Sequence, residues 1–510
     1  MRAATIILMI LATVAKTTNS SLAAERQSIK QLDKVVAYPA PKGAALSDQY
    51  EVTVNGTPLD VYIAPVWEPG GSKSFGGPYS FAYFDFSGTA TVQVVVRKQP
   101  VMRERLRILP ESRGIQPEIA GSNLSFTVSS PCQLSIEPNA KQGPLLLFAN
   151  PLEVNPPKPG DAGVIYFGPG LHQTNEIKVA DNQTLYIAGG AVVKGGILAQ
   201  GANIRIRGRG IIDGLDWARF QGPTHNLLRL TNCTNAMIEG IILKDTFGWT
   251  FPMYACRGVH VDNVKIMGSR CENNDGINVV NSQDVKIENC FIRSDDDNIC
   301  PKGLGEEQGI GFVYGSGKAG IYDLFPPQFT PGNVNTKQND KTRLDAYLPV
   351  ENLTVERCVL WTDRAHVWRL GCECRAAAMR RLVFRDIDVL HFNSDLPAIT
   401  LQPSEGMLME DVRFENIRFN GEGQPKFIEI DTGFIHYAIK KTPGIVRNVV
   451  FKDIVLRGVA GNALIEVKGS DSNHTVEGVT FENVTRYGQR LTSDSPHMSI
   501  GQHTKDVIVK

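Results

Sequence analysis

The sequence predicts an all-β protein in which a right-handed parallel β-helix follows a smaller antiparallel β-sandwich domain. Three features lead to this prediction. A short pattern recurs through the C-terminal two thirds of the chain, as in proteins built from stacked repeats. The first third contains strand-like segments that lack this repeat. A proline-rich stretch, residues 151–159, separates the two parts, because proline cannot join the interior of a sheet.

The repeat is an apolar–x–apolar triplet, a polar residue, then Asn, Asp or Gly, and a second apolar–x–apolar triplet. Alternation in each triplet directs one row of side chains inward, and the residue between the triplets tolerates the left-handed backbone of a sharp corner. Most copies lie 23 to 37 residues apart, which fits a minimal coil of about 22 residues with variable loops. A propeller is disfavoured, because each blade needs about four strands and roughly 40 residues. The strongest copies are Val259–Ile266, Val285–Ile292, Leu353–Leu360, Leu382–Val389, Val412–Phe419, Val449–Leu456 and Val479–Val484.

The chain divides into four predicted segments. Arg2, the apolar run from Ile6 to Val14 and the small residues that follow are typical of a cleavable signal peptide, so export to the periplasm or the medium is expected. The predicted boundaries are 1–24 for the signal peptide, 25–155 for the β-sandwich, 156–495 for the β-helix and 496–510 for a C-terminal tail.

Composition limits the possible partners. The chain has 53 basic and 53 acidic residues, so its overall charge does not favour nucleic acid. No stretch after the leader reaches the ~18 apolar residues of a membrane-spanning helix. Nine cysteines are spread through the chain; they predict small buried side chains, with Cys290 and Cys300 as a candidate disulfide, rather than a zinc site. We expect a monomer that requires no metal and no cofactor.

Two acidic motifs lie on neighbouring coils, Asn273–Asn278 and Ser294–Cys300. Aligning them places Asp275 against Asp297, 22 residues apart, which is one minimal coil. The two aspartates should therefore stack about 4.8 Å apart, with Asp296 beside them. Such a carboxylate cluster retains a proton near neutral pH, because like charges at this distance do not all ionise.

A retained proton beside an ionised carboxylate supplies the general acid and the general base that cleavage of a glycosidic bond requires. Two other interpretations stay open at this stage. Asp and Asn also cap corners of a β-helix, and clustered carboxylates also bind calcium.

These motifs are similar to those of polygalacturonases and their relatives in glycoside hydrolase family 28. The resemblance rests on Asn274-Asp-Gly276, Asp295–Asp297, the Gly248-Trp249 stretch and His366-Val-Trp-Arg-Leu-Gly371, and extends over about residues 160–490. It implies that Asp296 is the general acid, that Asp275 and Asp297 activate a water, and that His366 supports the group. It also implies inversion at the anomeric carbon. Asp295 is expected to take no part.

The chain departs from the family pattern at two places. Ala365 and Val367 replace the glycines that flank the histidine, and the next coil lacks the family's Arg-x-Lys pair that binds the galacturonate carboxylate. Basic residues elsewhere, with Arg369 the best placed, are the candidates to replace that pair. The predicted substrate-binding residues are Trp249, Asn274, Lys302, Arg369 and Glu373.

The predicted function is that of a secreted inverting hydrolase of a pectin-type polysaccharide, either galacturonan or rhamnogalacturonan. The alternative within hydrolases is the dextranase and isopullulanase group, family 49, which the sandwich–helix order resembles and which acts on neutral α-glucans. A β-helix polysaccharide lyase and a non-catalytic carbohydrate-binding protein are the alternatives from other classes, because the fold alone does not decide function. A long irregular segment, Gly303 to Pro349, is expected to shape the cleft.

Overall fold

A computed structural model describes residues 33–68, 74–224, 226–304, 347–392, 395–435, 438 and 440–510. The predicted signal peptide lies outside these ranges, as does most of the segment from Gly303 to Pro349. Within them the regular structure is almost entirely strand, with short 3-10 helices at Glu111–Arg113 and Ser404–Gly406. No helix in these ranges has the length and hydropathy needed to cross a membrane.

The strands of the N-terminal domain are β1 Lys34–Ala37, β2 Tyr50–Val54, β3 Thr57–Leu59, β4 Tyr62–Ala64, β5 Tyr79–Ser87, β6 Ala90–Val96, β7 Arg107–Leu109, β8 Glu118–Ala120, β9 Asn123–Val128, β10 Cys132–Lys141 and β11 Leu145–Pro151. One sheet has the order β1-β5-β11-β10-β7, with β4 paired to β5, and the other has the order β3-β2-β6-β9-β8. The two sheets share one apolar core. β5 and β11 run parallel, so the first sheet is mixed and not purely antiparallel as predicted.

The remaining strands form one continuous parallel coil. Its first half contains β12 Val164–Phe167, β13 Gly170–Val179, β14 Thr184–Ile187, β15 Ala191–Ala199, β16 Arg205–Gly208, β17 Ile211–Asp213, β18 Leu228–Thr231, β19 Thr234–Glu239, β20 Ile242–Lys244, β21 Phe251–Tyr254, β22 Arg257–Asp262, β23 Lys265–Met267, β24 Ile277–Val280, β25 Gln283–Glu288, β26 Phe291–Ser294 and β27 Ile299–Lys302. The second half contains β28 Val350–Glu356, β29 Val359–Thr362, β30 Trp368–Gly371, β31 Met379–Phe392, β32 Ile399–Gln402, β33 Leu408–Glu422, β34 Lys426–Asp431, β35 Ile445–Val459, β36 Leu464–Lys468, β37 Val476–Glu482, β38 Thr485–Arg486, β39 Gln489–Arg490, β40 Met498–Ile500 and β41 Thr504–Val509.

These strands pair along three faces of the β-helix. We call them the first face (for example β22, β25 and β28), the second face (β20, β23, β26 and β29) and the third face (β21, β24, β27, β30 and β32). The long strands β31, β33 and β35 run from the first face onto the second. Residues 496–510 were predicted as a tail, but β40 and β41 pair in parallel with β36 and β37 and add another coil. The alternation of apolar residues in β40 and β41 is too short to be recognised from the sequence without the partner strands.

The corners between the first and second faces have the backbone that the repeat predicts. The residue between the two triplets of every strong copy has a φ between 51° and 57°. These residues are Asn263, Asn289, Arg357, Asp386, Asn416, Asp453 and Asn483. Asn and Asp tolerate this left-handed conformation better than most side chains do. Stacked corners also exchange side-chain hydrogen bonds, such as the one from Asn416 to Asp386 at 2.7 Å.

Inside the β-helix, identical side chains on successive coils form stacks. Phe384, Phe414, Phe451 and Phe481 follow one another with ring centroids 4.8 to 5.1 Å apart and nearly parallel planes. Each is the third residue of the first triplet of the repeat, and in-register pairing places these equivalent positions on top of one another. The stack is thus a direct result of the parallel register.

The N-terminal domain packs on the second face. A shared cluster combines sandwich residues such as Phe81 and Phe148 with outward-facing β-helix residues such as Phe291 and Trp361. Buried ionic contacts accompany it: Arg209 Nε donates to both oxygens of Asp85, at 2.8 and 2.9 Å. The second face is therefore covered by protein, whereas the third face lies outside this interface.

We expect Phe414→Ala to lower the free energy of unfolding by about 3–5 kcal/mol, because it removes a buried ring between two stacked neighbours. Urea unfolding followed by circular dichroism would measure the change. Arg413→Ala is the matched control, since the adjacent side chain is half-exposed on the outside of the same strand and should cost about 1 kcal/mol or less. Equal losses in the two variants would contradict a supporting role for the stack.

Candidate active site

Three loops at one corner of the β-helix carry the predicted catalytic residues. The loops lead into β24, β27 and β30, which pair in register on the third face. Asp275, Asp297 and His366 each lie two residues before the start of one of these strands. The backbone N–H of Gly276 donates to the carbonyl of Asp297 at 2.9 Å, which joins the first two loops directly. The 22-residue spacing in the sequence therefore corresponds to stacking on adjacent coils.

Gly276 permits this close approach. A Cβ atom at this position would lie 2.3 Å from the carbonyl oxygen of Asn298 and 2.6 Å from the side chain of Ile292. Neither the backbone of the next coil nor a core side chain can move aside cheaply. Any other residue at this position would push the loops that carry Asp275 and Asp297 apart.

Asp297 is the carboxylate that stays ionised. Its Oδ1 accepts hydrogen bonds from the backbone N–H of His366 at 3.0 Å and from the ring Nδ1 of His366 at 2.8 Å. Burial alone would raise the pKa of Asp297, but His366, with help from Arg369 and Lys302, holds it below its ordinary value. Asp297 is thus prepared to accept a proton rather than to donate one.

Opposing influences act on the pKa of Asp275. Burial, with the charges of Asp296 and Asp297, raises the pKa of Asp275 well above its ordinary value, and Lys302 opposes that rise. Its Oδ2 accepts from Asn278 Nδ2 at 2.7 Å and lies 3.2 Å from Lys302 Nζ. Sequence reasoning missed Asn278. Its position three residues after Asp275 on an outward-facing strand row was the available signal.

Asp296 is the most accessible member of the cluster, since it keeps partial exposure while Asp275 and Asp297 are buried. Asn273 Nδ2 donates to its Oδ2 at 3.3 Å, and the backbone N–H of Asp297 donates to its Oδ1 at 3.0 Å. Burial and the neighbouring charge of Asp297 raise the pKa of Asp296. A carboxyl group that retains a proton and reaches solvent has the properties of a general acid.

Asp295 faces a different partner. Arg364 binds it through two parallel hydrogen bonds of 2.8 and 2.7 Å, and the Arg364 guanidinium lies 4.3 Å from the ring of Trp67 in the N-terminal domain. Burial nevertheless raises the pKa of Asp295 to about 7. Asp295, the first of the three consecutive aspartates, therefore fixes the loop on the sandwich domain.

The predicted substrate-binding residues divide into two groups. Lys302 and Glu373 lie beside Asp275, with 3.8 Å between Nζ and Oε2, and Lys302 Nζ lies 4.2 Å from the ring centre of Trp249. Arg369 is half-buried on β30, and its charge acts on Asp296 and Asp297.

Asn274 does not fit its predicted role as a substrate contact. It is fully buried, and its Oδ1 accepts from the backbone N–H groups of Arg270 and Cys271 at 3.0 Å each. Its Nδ2 donates to the carbonyl of Gly248 at 3.2 Å. These contacts use the amide to shape the loop that carries Asp275.

The cluster is a poor fit for calcium. Ligand atoms of Asp275, Asp297 and Cys300 lie within 4.8 Å of one another. Calcium takes about six to eight oxygen ligands, whereas this set offers two carboxylates and a thiol, and the Lys302 ammonium already neutralises Asp275. Cys300 is also free, as is Cys290, so the candidate disulfide was wrong: Cys290 packs in the interior core and Cys300 faces Asp275.

A family comparison bears on the same region. Residues 173–307 match the model described as "Glycosyl hydrolases family 28". This segment contains Trp249 and the whole aspartate cluster. The predicted resemblance to family 28 is confirmed.

Individual proteins give partial matches. Over 123 residues the chain is 30% identical to a Vitis vinifera protein named "Probable polygalacturonase", and the match covers 23% of this chain. The chain spans 24% of the length of that curated relative.

Among solved structures, Dex49A from Penicillium minioluteum has a TM-score of 0.66 and 14% identity, covering 93% of this chain and 96% of that chain. A family 28 exopolygalacturonase from Yersinia enterocolitica has a TM-score of 0.49 and 13% identity, with the same coverage. The strand order of the chain confirms the predicted β-sandwich followed by a parallel β-helix, and the likeness in fold to Dex49A extends over 93% of this chain.

We expect Arg364→Gln to destabilise the protein by about 3 kcal/mol at pH 8, because it leaves the Asp295 carboxylate buried without a cation. The folded-state pKa of Asp295 is raised to about 7, so this group lowers stability progressively as the pH rises from about 4 to about 7, and without Arg364 the loss continues to higher pH. The penalty should therefore shrink at pH 5, where Asp295 is protonated in the folded state of both proteins. Urea unfolding at the two pH values measures the stability difference between the variant and the wild type.

Arg381→Gln is the control. It removes a half-exposed surface pair and should change stability by about 1 kcal/mol or less at either pH. A penalty for Arg364→Gln that is independent of pH would contradict the account.

Proposed function

We propose that the protein is an inverting glycoside hydrolase that cleaves a pectin-type polysaccharide. The observation that carries the proposal is the stacked carboxylate cluster, in which His366 holds the pKa of Asp297 below its ordinary value while burial and the charge of Asp297 raise the pKa of Asp296. The segment that matches the family 28 model contains Asp296 and Asp297 and supports the same chemistry.

In the proposed reaction Asp296 is the general acid. It donates its proton to the glycosidic oxygen as the bond from the anomeric carbon to that oxygen breaks, and the bonding electrons leave with the oxygen. A water attacks the anomeric carbon from the opposite side and gives its proton to the pair Asp275 and Asp297. His366 donates to Asp297 at 2.8 Å, which keeps that carboxylate oriented. One displacement inverts the anomeric configuration.

Arg369 is the proposed site for the acid group of the substrate. It lies outward on β30, in register with Thr400 of β32, and is close enough to influence Asp296 and Asp297. Thr400 and Gln402 occupy the strand after the histidine, where the family has its Arg-x-Lys pair. A guanidinium one coil earlier offers the bidentate donor geometry that a carboxylate requires.

A neutral α-glucan is the second candidate substrate, because the fold is similar to that of Dex49A along nearly its whole length. The two candidates differ in one respect that can be tested. A neutral sugar presents no carboxylate to Arg369, so that residue would then contribute no selectivity for charge.

We also propose that the protein acts after export and as a monomer. The leader-like residues 1–24 support export.

Asp296→Asn should lower kcat by about 10²–10⁴-fold on the best of the galacturonan, rhamnogalacturonan, dextran and pullulan substrates, because it removes the donated proton. Reducing-end assays measure the loss. Asp295→Asn is the matched control, since the adjacent aspartate binds Arg364 and should keep activity within about tenfold of wild type. An ultraviolet-absorbing product would indicate elimination and contradict hydrolysis. Equal loss in both variants would contradict the assignment of Asp296.

Arg369→Met should reduce the selectivity for free oligogalacturonates over their methyl esters by about tenfold or more, because the charge-assisted contact is worth at least about 1.5 kcal/mol. The ratio of kcat/KM for the two substrates isolates this effect from any change in the carboxylate cluster. Arg381→Met, on the first face, serves as the control and should leave the ratio unchanged. An unchanged ratio for Arg369→Met would favour a neutral substrate or another carboxylate-binding residue.

A further inference from the structure

Lys302 is the buried cation at the centre of the site. Its side chain is about 5% exposed and lies on the outward row of β27, in register with Val280 of β24. Its ammonium contacts three different groups: Asp275 Oδ2 at 3.2 Å, Glu373 Oε2 at 3.8 Å and the ring of Trp249 at 4.2 Å. The ammonium is thus enclosed by two carboxylates and the face of an aromatic ring.

These contacts set the state of the ammonium. Burial alone would lower the pKa of Lys302, but Glu373 and Asp275 raise it well above its ordinary value. Lys302 therefore stays protonated over the whole working range of pH. Its charge is directed to the carboxylates of Asp275 and Glu373.

Asp275 needs such a neighbour. The titratable and charged groups that face it are Lys302 and Cys300 on β27, Asp296 and Asp297 on the preceding loop, and Tyr254 on β21. Within this set Lys302 is the cation, and every other member is neutral or acidic. Asn278 adds a hydrogen bond of 2.7 Å to the same Oδ2 that faces Lys302, so both donors fix one oxygen of the carboxylate.

We propose that Lys302 is a positioning residue for the hydrolysis: it holds Asp275 in its anionic form and fixes the orientation of its carboxylate, so that Asp275 acts as a base. This inference rests on the proposed function, because it assigns Asp275 a partner in the proposed activation of water. Glu373 moderates the effect, since it shares the charge of the same ammonium. Lys302 is accordingly removed from the set of substrate contacts.

The pH dependence of kcat/KM tests the proposal. Lys302→Met should move the acidic limb of the profile upward by about 1–3 pH units, because an opposite charge at this distance lowers the pKa of a carboxyl group by that amount. Lys302→Arg, which keeps the cation, should restore the limb toward the wild-type position. Glu373→Gln should move it downward, since Lys302 then acts on Asp275 without competition. Lys286→Met, a half-exposed lysine on the first face, is the control and should leave the profile unchanged.

The outcomes separate the possible failures. A uniform loss of activity in Lys302→Met without movement of the acidic limb would indicate a purely structural role and would overturn the inference. If Lys302→Met does not fold, as judged by circular dichroism, an unmoved limb in Glu373→Gln overturns it, and a downward shift supports it. Absence of hydrolysis by the wild-type protein on every polysaccharide tested would instead contradict the proposed function itself.

Discussion

In-register stacking of successive coils is the constraint on which the rest of the structure depends. Parallel pairing repeats every about 4.8 Å, so residues at equivalent positions of neighbouring coils are brought into contact whatever their chemistry. In the interior this produces the phenylalanine stack, and at the corners it produces the hydrogen-bonded Asn and Asp rows. On the third face the same register brings Asp275, Asp297 and His366 together. A reactive cluster and a stable core thus have one geometric origin.

Stacking alone would make the aspartates equivalent, and their individual partners make them different. Asp295 binds Arg364, Asp297 binds His366, and Asp275 binds Lys302 and Asn278. Asp296 keeps partial exposure and has no comparable cationic contact among the described hydrogen bonds and ion pairs. Because the environment is of low polarity, each partner shifts the balance between the protonated and ionised forms strongly. Four neighbouring carboxyl groups can therefore take different chemical roles.

The N-terminal domain contributes to this arrangement. Its core covers the second face, and its segment near Trp67 reaches the loops of the active site: the backbone N–H of Trp67 donates to the carbonyl of Ser269 at 2.6 Å. Arg293 binds Asp363 and donates to the carbonyl of Phe75 at 2.7 Å, which ties the loop before His366 to the same domain. The sandwich therefore supports the acid-bearing loops, as the surroundings of catalytic groups must do to hold them in place.

The sequence determined the repeat, the corner residues and the pairing of Asp275 with Asp297, because a coil of fixed length converts a spacing along the chain into a contact in space. It also determined the resemblance that singles out His366. The sequence could not determine which side chains meet when they come from loops of different length on different coils. Lys302, Glu373 and Trp249 meet only because loops of unequal length return to one face. Asn274 was predicted to contact the substrate, but its amide binds the backbone of its own loop. The strands of the final coil, Met498–Val509, likewise can be identified only from their pairing with β36 and β37. Local pattern fixed the stacking, and tertiary structure decided which charge faces which, since electrostatic partners depend on distance in space rather than on order in the chain.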